Sequence, residues 1–284
     1  MLGIGAILPL LDVGLDHYGV GVEYRAGGVT IDYVEHGSGV PLVALHGAGV
    51  DHREVESALE PMVPHAGYRR IYPDLPGMGR STSHGLVCND DVVRLLGDFI
   101  DQVAGEAVLL LGHSYGALLA RGIAARHPDM VLGLALLCPI ADGASDVPRH
   151  EVVRQDADAY SDLDLAHRAG FDEYFVVRTA NTARRYRDAV VPGKALVDAA
   201  ALARIFAGWA VDVGSGTFSA PTLIAAGRRD SIVGYADAQS LIPRYLRATC
   251  VIVEDAGHAL MHERPEVLGP LLADWLRRAR PDSR

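Results

Sequence analysis

Gly112-His113-Ser114-Tyr115-Gly116 directly follows the apolar run AVLLL and directly precedes the helical segment ALLARGIAARH. A serine on a sharp strand-to-helix turn takes up strained backbone, which only neighbours of little side-chain bulk permit, and its hydroxyl then projects above the sheet edge. The helix that starts there points its partial positive end at the same place and favours negative charge developing on an oxygen. A serine hydroxyl is a poor nucleophile near neutral pH, so it needs a base within reach and a third group that holds that base in one tautomer. Gly227-Arg228-Arg229-Asp230 ends the run PTLIAA, and Asp255-Ala256-Gly257-His258 ends CVIVE, so an acid and a histidine each sit just beyond a strand's carboxyl end. Two alternatives weigh on the acid: Asp142, past the run ending at Cys138, competes for the role, and Asp230 is also placed to cap the helix that follows it. With 12 histidines in the chain a lone one says little, and His46 and His113 read as structural or pocket-shaping.

Metal and cofactor chemistry find less support. His258 and His262 are spaced like a zinc pair on a helix, but Ala259, Leu260 and Met261 between them lack the glutamate of H-E-x-x-H and no third ligand suggests itself. No G-x-G-x-x-G follows a strand, no Walker loop is present, and the single lysine, Lys194, has no cofactor motif around it. The expectation is no metal and no cofactor.

The elements that must position these residues alternate. Strands are expected at Val22–Arg25, Thr30–His36, Pro41–Leu45, Arg70–Tyr72, Ala107–Leu111 and Val131–Cys138, with helices at Glu54–Met62, Asp90–Val103 and Ala117–Arg126. β-rich runs alternating with helical apolar periods imply parallel strands joined by crossover helices, and near-continuous apolar strands suit a sheet covered on both faces. From Asp142 to Ser219 the alternation stops in favour of mixed-charge helical sequence with no convincing strand, which reads as an inserted helical cap. It resumes with a strand Pro221–Ala226, a helix Ala236–Tyr245, a strand Thr249–Glu254 and a last helix Pro265–Arg278. The expected organisation is an extension of unassigned role (1–20), a core in two parts (21–141 and 220–284) and the cap (142–219) between them. In α/β folds the carboxyl ends of the strands line the ligand crevice, so Ser114, Asp230 and His258 converge on one edge.

With these landmarks in order, the chain from about Thr30 to Ala279 resembles the α/β-hydrolase superfamily. His46-Gly47-Ala48-Gly49 is similar to the family's HGxG turn, and Asp74-Leu75-Pro76-Gly77-Met78-Gly79-Arg80-Ser81 to its D-x-x-G-x-G-x-S loop. The resemblance implies an α/β fold with a mostly parallel eight-stranded sheet, helices on both faces and a helical cap. It also implies Ser114 as nucleophile, His258 as general base and then acid, Asp230 as the orienting acid, and the backbone amides of Ala48 and Tyr115 as oxyanion donors. Serine rather than aspartate at position 114 disfavours the alkyl-ester chemistry of haloalkane and epoxide hydrolysis and suits an acyl carbonyl. The expected reaction is hydrolysis of an ester or related acyl bond of a small, moderately apolar molecule. The same triad also serves carbon–carbon hydrolases, perhydrolases and lyases, and some relatives bind a ligand without turning it over.

Composition narrows the setting. The chain has 284 residues, 49% apolar and 22% charged, enough for a buried core and unlike a disordered chain. Lys plus Arg is 26 against 36 for Asp plus Glu, a net charge of −10, which disfavours nucleic acid as a partner. Cys88, Cys138 and Cys250 are dispersed and odd in number, which fits a reducing, cytoplasmic setting. The apolar N-terminus lacks a positive region and is interrupted by Pro9 and Asp12, so neither signal peptide nor membrane anchor is expected. The cap should wall the pocket, with Gly47, His46 and His113 below it and Phe171, Tyr174, Phe175, Phe206 and Trp209 as candidate lining residues. Oligomeric state is left unassigned.

Overall fold

A computed structural model describes residues 21–140 and 146–280, so the 1–20 extension and Asp142, the rival acid, lie outside the described residues. Eight strands form one sheet: β1 (Val22–Ala26), β2 (Val29–Gly37), β3 (Gly39–Leu45), β4 (Gly67–Pro73), β5 (Val108–His113), β6 (Val131–Leu137), β9 (Thr222–Gly227) and β10 (Ala248–Val253), in the order β1-β2-β4-β3-β5-β6-β9-β10. The β1–β2 and β2–β4 pairs are antiparallel and the other five are parallel. Parallel registers such as Leu45 beside Gly112 and His113 beside Leu137 bring the carboxyl ends of β3, β5, β6, β9 and β10 to one edge.

The central strands β5, β6 and β9 are apolar on both sides because both faces are covered. Along β5, Val108 and Leu110 join one core cluster while Leu109 and Leu111 join the other, the period-two alternation of a strand. The first cluster is closed by helices α2 (Asn89–Ala104) and α3 (Tyr115–Arg126), the second by α1 (Arg53–Leu59), α9 (Leu260–Glu263) and α10 (Pro265–Ala279). Helix α10 follows the pattern read from its sequence, burying Leu268, Leu272, Trp275 and Leu276, and the Trp275 indole N–H donates to the Pro221 carbonyl at 3.2 Å. Truncating so large a buried side chain costs about 3–5 kcal/mol.

Between β6 and β9 lie α4 (Leu165–Tyr174), α5 (Ala180–Arg185), α6 (Val191–Lys194) and α7 (Ala199–Phe206). A π-helical turn, Tyr186–Val190, joins α5 to α6. The expectation of no strand in this region is corrected by a small parallel pair, β7 (Arg154–Gln155) and β8 (Val177–Arg178), each too short to carry a readable alternation. The single helix expected at Ala236–Tyr245 is instead α8 (Ala236–Ser240) followed by a 3₁₀ turn, Ile242–Arg244, with Pro243 inside it.

Candidate active site

Ser114 sits between β5 and α3 with φ 54° and ψ −116°, one of only two non-glycine residues at positive φ among the described residues. The flanking glycines are demanded by close approach. A Cβ on Gly112 would lie 2.3 Å from the Gly116 carbonyl oxygen, and one on Gly116 would lie 2.3 Å from that of Leu45. The Ser114 amide donates to Leu137 O at 2.9 Å, which ties the turn to the next strand.

Asp230 and His258 meet across the loops after β9 and β10. The His258 Nδ1 lies 2.8 Å from Asp230 Oδ2, and Asp230 Oδ1 accepts the amides of Ile232 at 2.9 Å and Val233 at 3.0 Å. Burial alone would raise the Asp230 pKa, but the His258 ring and those two amides hold it below the usual carboxylate value. An ionised Asp230 fixes the His258 proton on Nδ1 and leaves Nε2 as a base. Ser114 and His258 line one cavity of about 310 Å³, together with Gly47, Ala48, Gly49, Val50, Glu54, His113, Tyr174 and Ile232.

The turn after β3 is rigidly held. His46 is fully buried, its Nδ1 2.7 Å from Gly47 O while its Nε2 accepts the Leu75 amide at 2.9 Å. That arrangement needs the neutral ring protonated on Nδ1, and burial lowers the His46 pKa accordingly. The Gly47 amide donates to Glu54 Oε2 at 2.8 Å, and Ala48 lines the cavity between Gly47 and Gly49. The Asp74 loop is architectural: Asp74 accepts the amides of His52 and Arg80 and contacts His52 Nδ1 at 2.7 Å.

Not every residue named from the sequence reaches the cavity. Gly47, His113 and Tyr174 line it. Phe171 and Phe175 are fully buried in a cluster with Val50, Tyr186 and Ala259, where they pack the helical region onto the sheet edge. Phe206 and Trp209 lie against the Tyr115 ring, centroids 5.1 and 6.1 Å away, on a side chain whose hydroxyl donates to Asn89 at 2.8 Å. His46 works behind the turn rather than on the cavity surface. Gly170, Glu173, Tyr186, Val190 and Lys194, none of them a pocket candidate from the sequence, complete the lining. The last three recur every four residues through the π turn and α6, a helical face legible in principle.

Two clusters among the described residues bring three potential metal donors within 4.8 Å, His113–Cys138–His258 and Asp51–His52–Asp74. In the first, His258 Nδ1 contacts Asp230 and His113 Nε2 the His258 carbonyl oxygen; in the second, His52 Nδ1 contacts Asp74 of the same cluster. His262 is buried, with its pKa lowered to about 3, and contributes to neither cluster. Among the described residues, no helix is long and apolar enough to cross a membrane.

Comparison with known proteins places this site in a family. The chain belongs to the alpha/beta hydrolase family, whose model matches residues 42–269. The 2-hydroxymuconate semialdehyde hydrolase of Pseudomonas sp. (strain CF600) is 25% identical, over 92% of this chain and 95% of the relative. The (E)-2-((N-methylformamido)methylene)succinate hydrolase of Acinetobacter baylyi is 34% identical over 38% of this chain, and the match spans only 41% of that relative's length. Among solved structures, an alpha/beta superfamily hydrolase from Oenococcus oeni PSU-1 matches with TM-score 0.82 and 27% identity, covering 91% of this chain and 99% of that one.

Proposed function

We propose that this chain is a serine hydrolase that cleaves an ester or related acyl bond of a small molecule through an acyl-enzyme. The observation that carries the reading is the buried Asp230–His258 pair opening on the same cavity as a serine in strained backbone. Ser114 attacks the acyl carbon, its proton passes to His258 Nε2, and the Asp230 carboxylate stabilises the resulting imidazolium. The negative oxygen of the tetrahedral intermediate rests on the backbone amides of Ala48 and Tyr115, the latter reinforced by the start of α3. The imidazolium then protonates the leaving group, and water activated by His258 releases the acid and regenerates the serine. The mixed lining of Val50, Val190 and Ile232 with Tyr174 and Tyr186 suits a small, partly apolar acyl compound.

Hydrolysis of a nitrophenyl ester, lost in both Ser114→Ala and His258→Ala, is the test; activity persisting in either variant would overturn the reading. The near-full-length similarity to a 2-hydroxymuconate semialdehyde hydrolase supports a second reading, in which the same residues cleave a carbon–carbon bond. 2-Hydroxymuconate semialdehyde turned over faster than simple esters would favour it.

A further inference from the structure

Beneath the turn that carries Ala48 lies a charged pair that the proposed triad leaves unused. Glu54 Oε2 accepts the Gly47 amide at 2.8 Å and Oε1 accepts the Tyr174 hydroxyl at 2.7 Å, so both oxygens act as acceptors, as in an ionised carboxylate. The Nδ1 of His113 lies 3.1 Å from Oε1 of the same carboxylate, a contact of charge rather than an aligned N–H bond. Its Nε2 lies 3.0 Å from the carbonyl oxygen of His258. A carbonyl oxygen cannot donate a proton, so Nε2 carries its own, and a proton on Nδ1 as well removes the lone pair that would otherwise face the Glu54 carboxylate. A neutral imidazole has one N–H and would turn a bare lone pair toward an anion or a carbonyl, in a spot where the two side chains are 1% and 2% exposed.

We infer that Glu54 and His113 form a fixed carboxylate–imidazolium pair that positions the Ala48 turn against the loop of His258. The functional half of this inference rests on the serine-hydrolase reading; the charge state of the ring does not. Glu54 reaches the turn after β3 through Gly47 and the cap through Tyr174, while His113 reaches the His258 backbone, so one ion pair joins three parts of the site. The ring is faced by Glu54 from α1, the His258 ring at 4.9 Å, Asp230 beyond β9, Cys138 beyond β6 and His262 from α9. Burial keeps the Cys138 thiol and the His262 ring uncharged, and the Tyr174 hydroxyl, raised by burial and by Glu54, stays protonated. Burial would also discharge His113, but Glu54 outweighs it and the His113 pKa is raised, while that of Glu54 is held well below the usual range. Without the ring's charge, a lone buried carboxylate would sit under the position of the developing oxyanion and repel it.

Long-range proton–nitrogen spectra of protein labelled with ¹⁵N-histidine test the pair directly. His113 is identified by signals missing from His113→Gln or, should that variant not fold, by through-bond assignment from the backbone. Both ring nitrogens should be protonated at about pH 7, above the ordinary histidine midpoint. In Glu54→Gln, where only the His258 carbonyl and Asp230 still oppose burial, the ring should be neutral at the same pH. The kcat of that variant on a nitrophenyl ester should fall about 10- to 100-fold with KM changed by less than about threefold, the pattern of a misplaced oxyanion donor. A neutral His113 ring in the native protein at about pH 7, or a Glu54→Gln variant with native kcat, would overturn the inference. Esterase activity surviving Ser114→Ala would instead overturn the serine reading and leave the ring spectrum to decide the pair.

Discussion

Asp230→Asn is the substitution with the most closely determined consequence. Asparagine keeps the shape of the side chain, and its carbonyl oxygen can go on accepting the Ile232 and Val233 amides now held by Oδ1. Its amide NH₂ then occupies the place of Oδ2 and points at His258 Nδ1 from 2.8 Å. Two donors cannot face each other, so the ring must move its proton to Nε2, the nitrogen that has to receive the serine proton. Activity is lost although every side chain stays in place; the same exchange in another triad lowers kcat about 10⁴-fold, equivalent to about 5 kcal/mol of transition-state stabilisation. Folding should lose less, about 1.5–3 kcal/mol for the charged hydrogen bond. The folded-state pKa of Asp230 is depressed, so its contribution to stability is present above the unfolded carboxylate value and disappears as pH falls through the folded one. The native protein should therefore lose stability in acid relative to Asp230→Asn. Nitrophenyl ester kinetics alongside circular dichroism and thermal melts at neutral and acid pH measure both effects. A folded Asp230→Asn protein with kcat within about tenfold of native would refute the tautomer argument and reopen the choice of acid.

Ser114→Gly should abolish turnover and yet stabilise the fold by about 1–3 kcal/mol, because glycine adopts φ 54° without strain; a differential scan with a lower midpoint than Ser114→Ala would contradict this. Glu263 accepts the amides of Val176, Val177 and Gly257, but burial raises its pKa to about 7. With the folded value above the unfolded one, its contribution is complete below about pH 4.5 and is lost as pH rises through about 7, a change of about 3 kcal/mol that Glu263→Gln should erase from a denaturant-unfolding series across pH. A pH slope unchanged in that variant would refute the account of Glu263. Trp209 packs against Tyr115 and Phe206 rather than lining the cavity, so binding of an apolar ester analogue should leave its fluorescence unchanged, read as the difference between native protein and Trp209→Phe; a blue shift would place the ligand against it.

The sheet and the gathering of Ser114, Asp230 and His258 at one edge were legible in the sequence because the signals are local. Apolar runs end in loops that carry these side chains, and parallel pairing of those runs delivers their ends to one edge. The cavity wall was less legible. Phe171 and Phe175, spaced like a helical face, bury completely against the sheet edge, and nothing in their spacing separates that outcome from lining a pocket. Phe206 and Trp209 are drawn aside by Tyr115, whose hydroxyl pairs with Asn89 while Asn89 donates to the Trp209 carbonyl, a relation between distant segments. Glu54 opens the helix expected at Glu54–Met62, and its contacts with Gly47, His113 and Tyr174 are ones that only the folded chain gathers around it.

The central claim, that Ser114 is an activated nucleophile, is tested most directly by treating the protein with a fluorophosphonate probe and locating the adduct by intact mass and peptide mapping. One phosphonyl group on Ser114, absent from Ser114→Ala and much slower to form in His258→Ala, is the result expected. An unlabelled native protein, or equal labelling of Ser114→Ala, would contradict it.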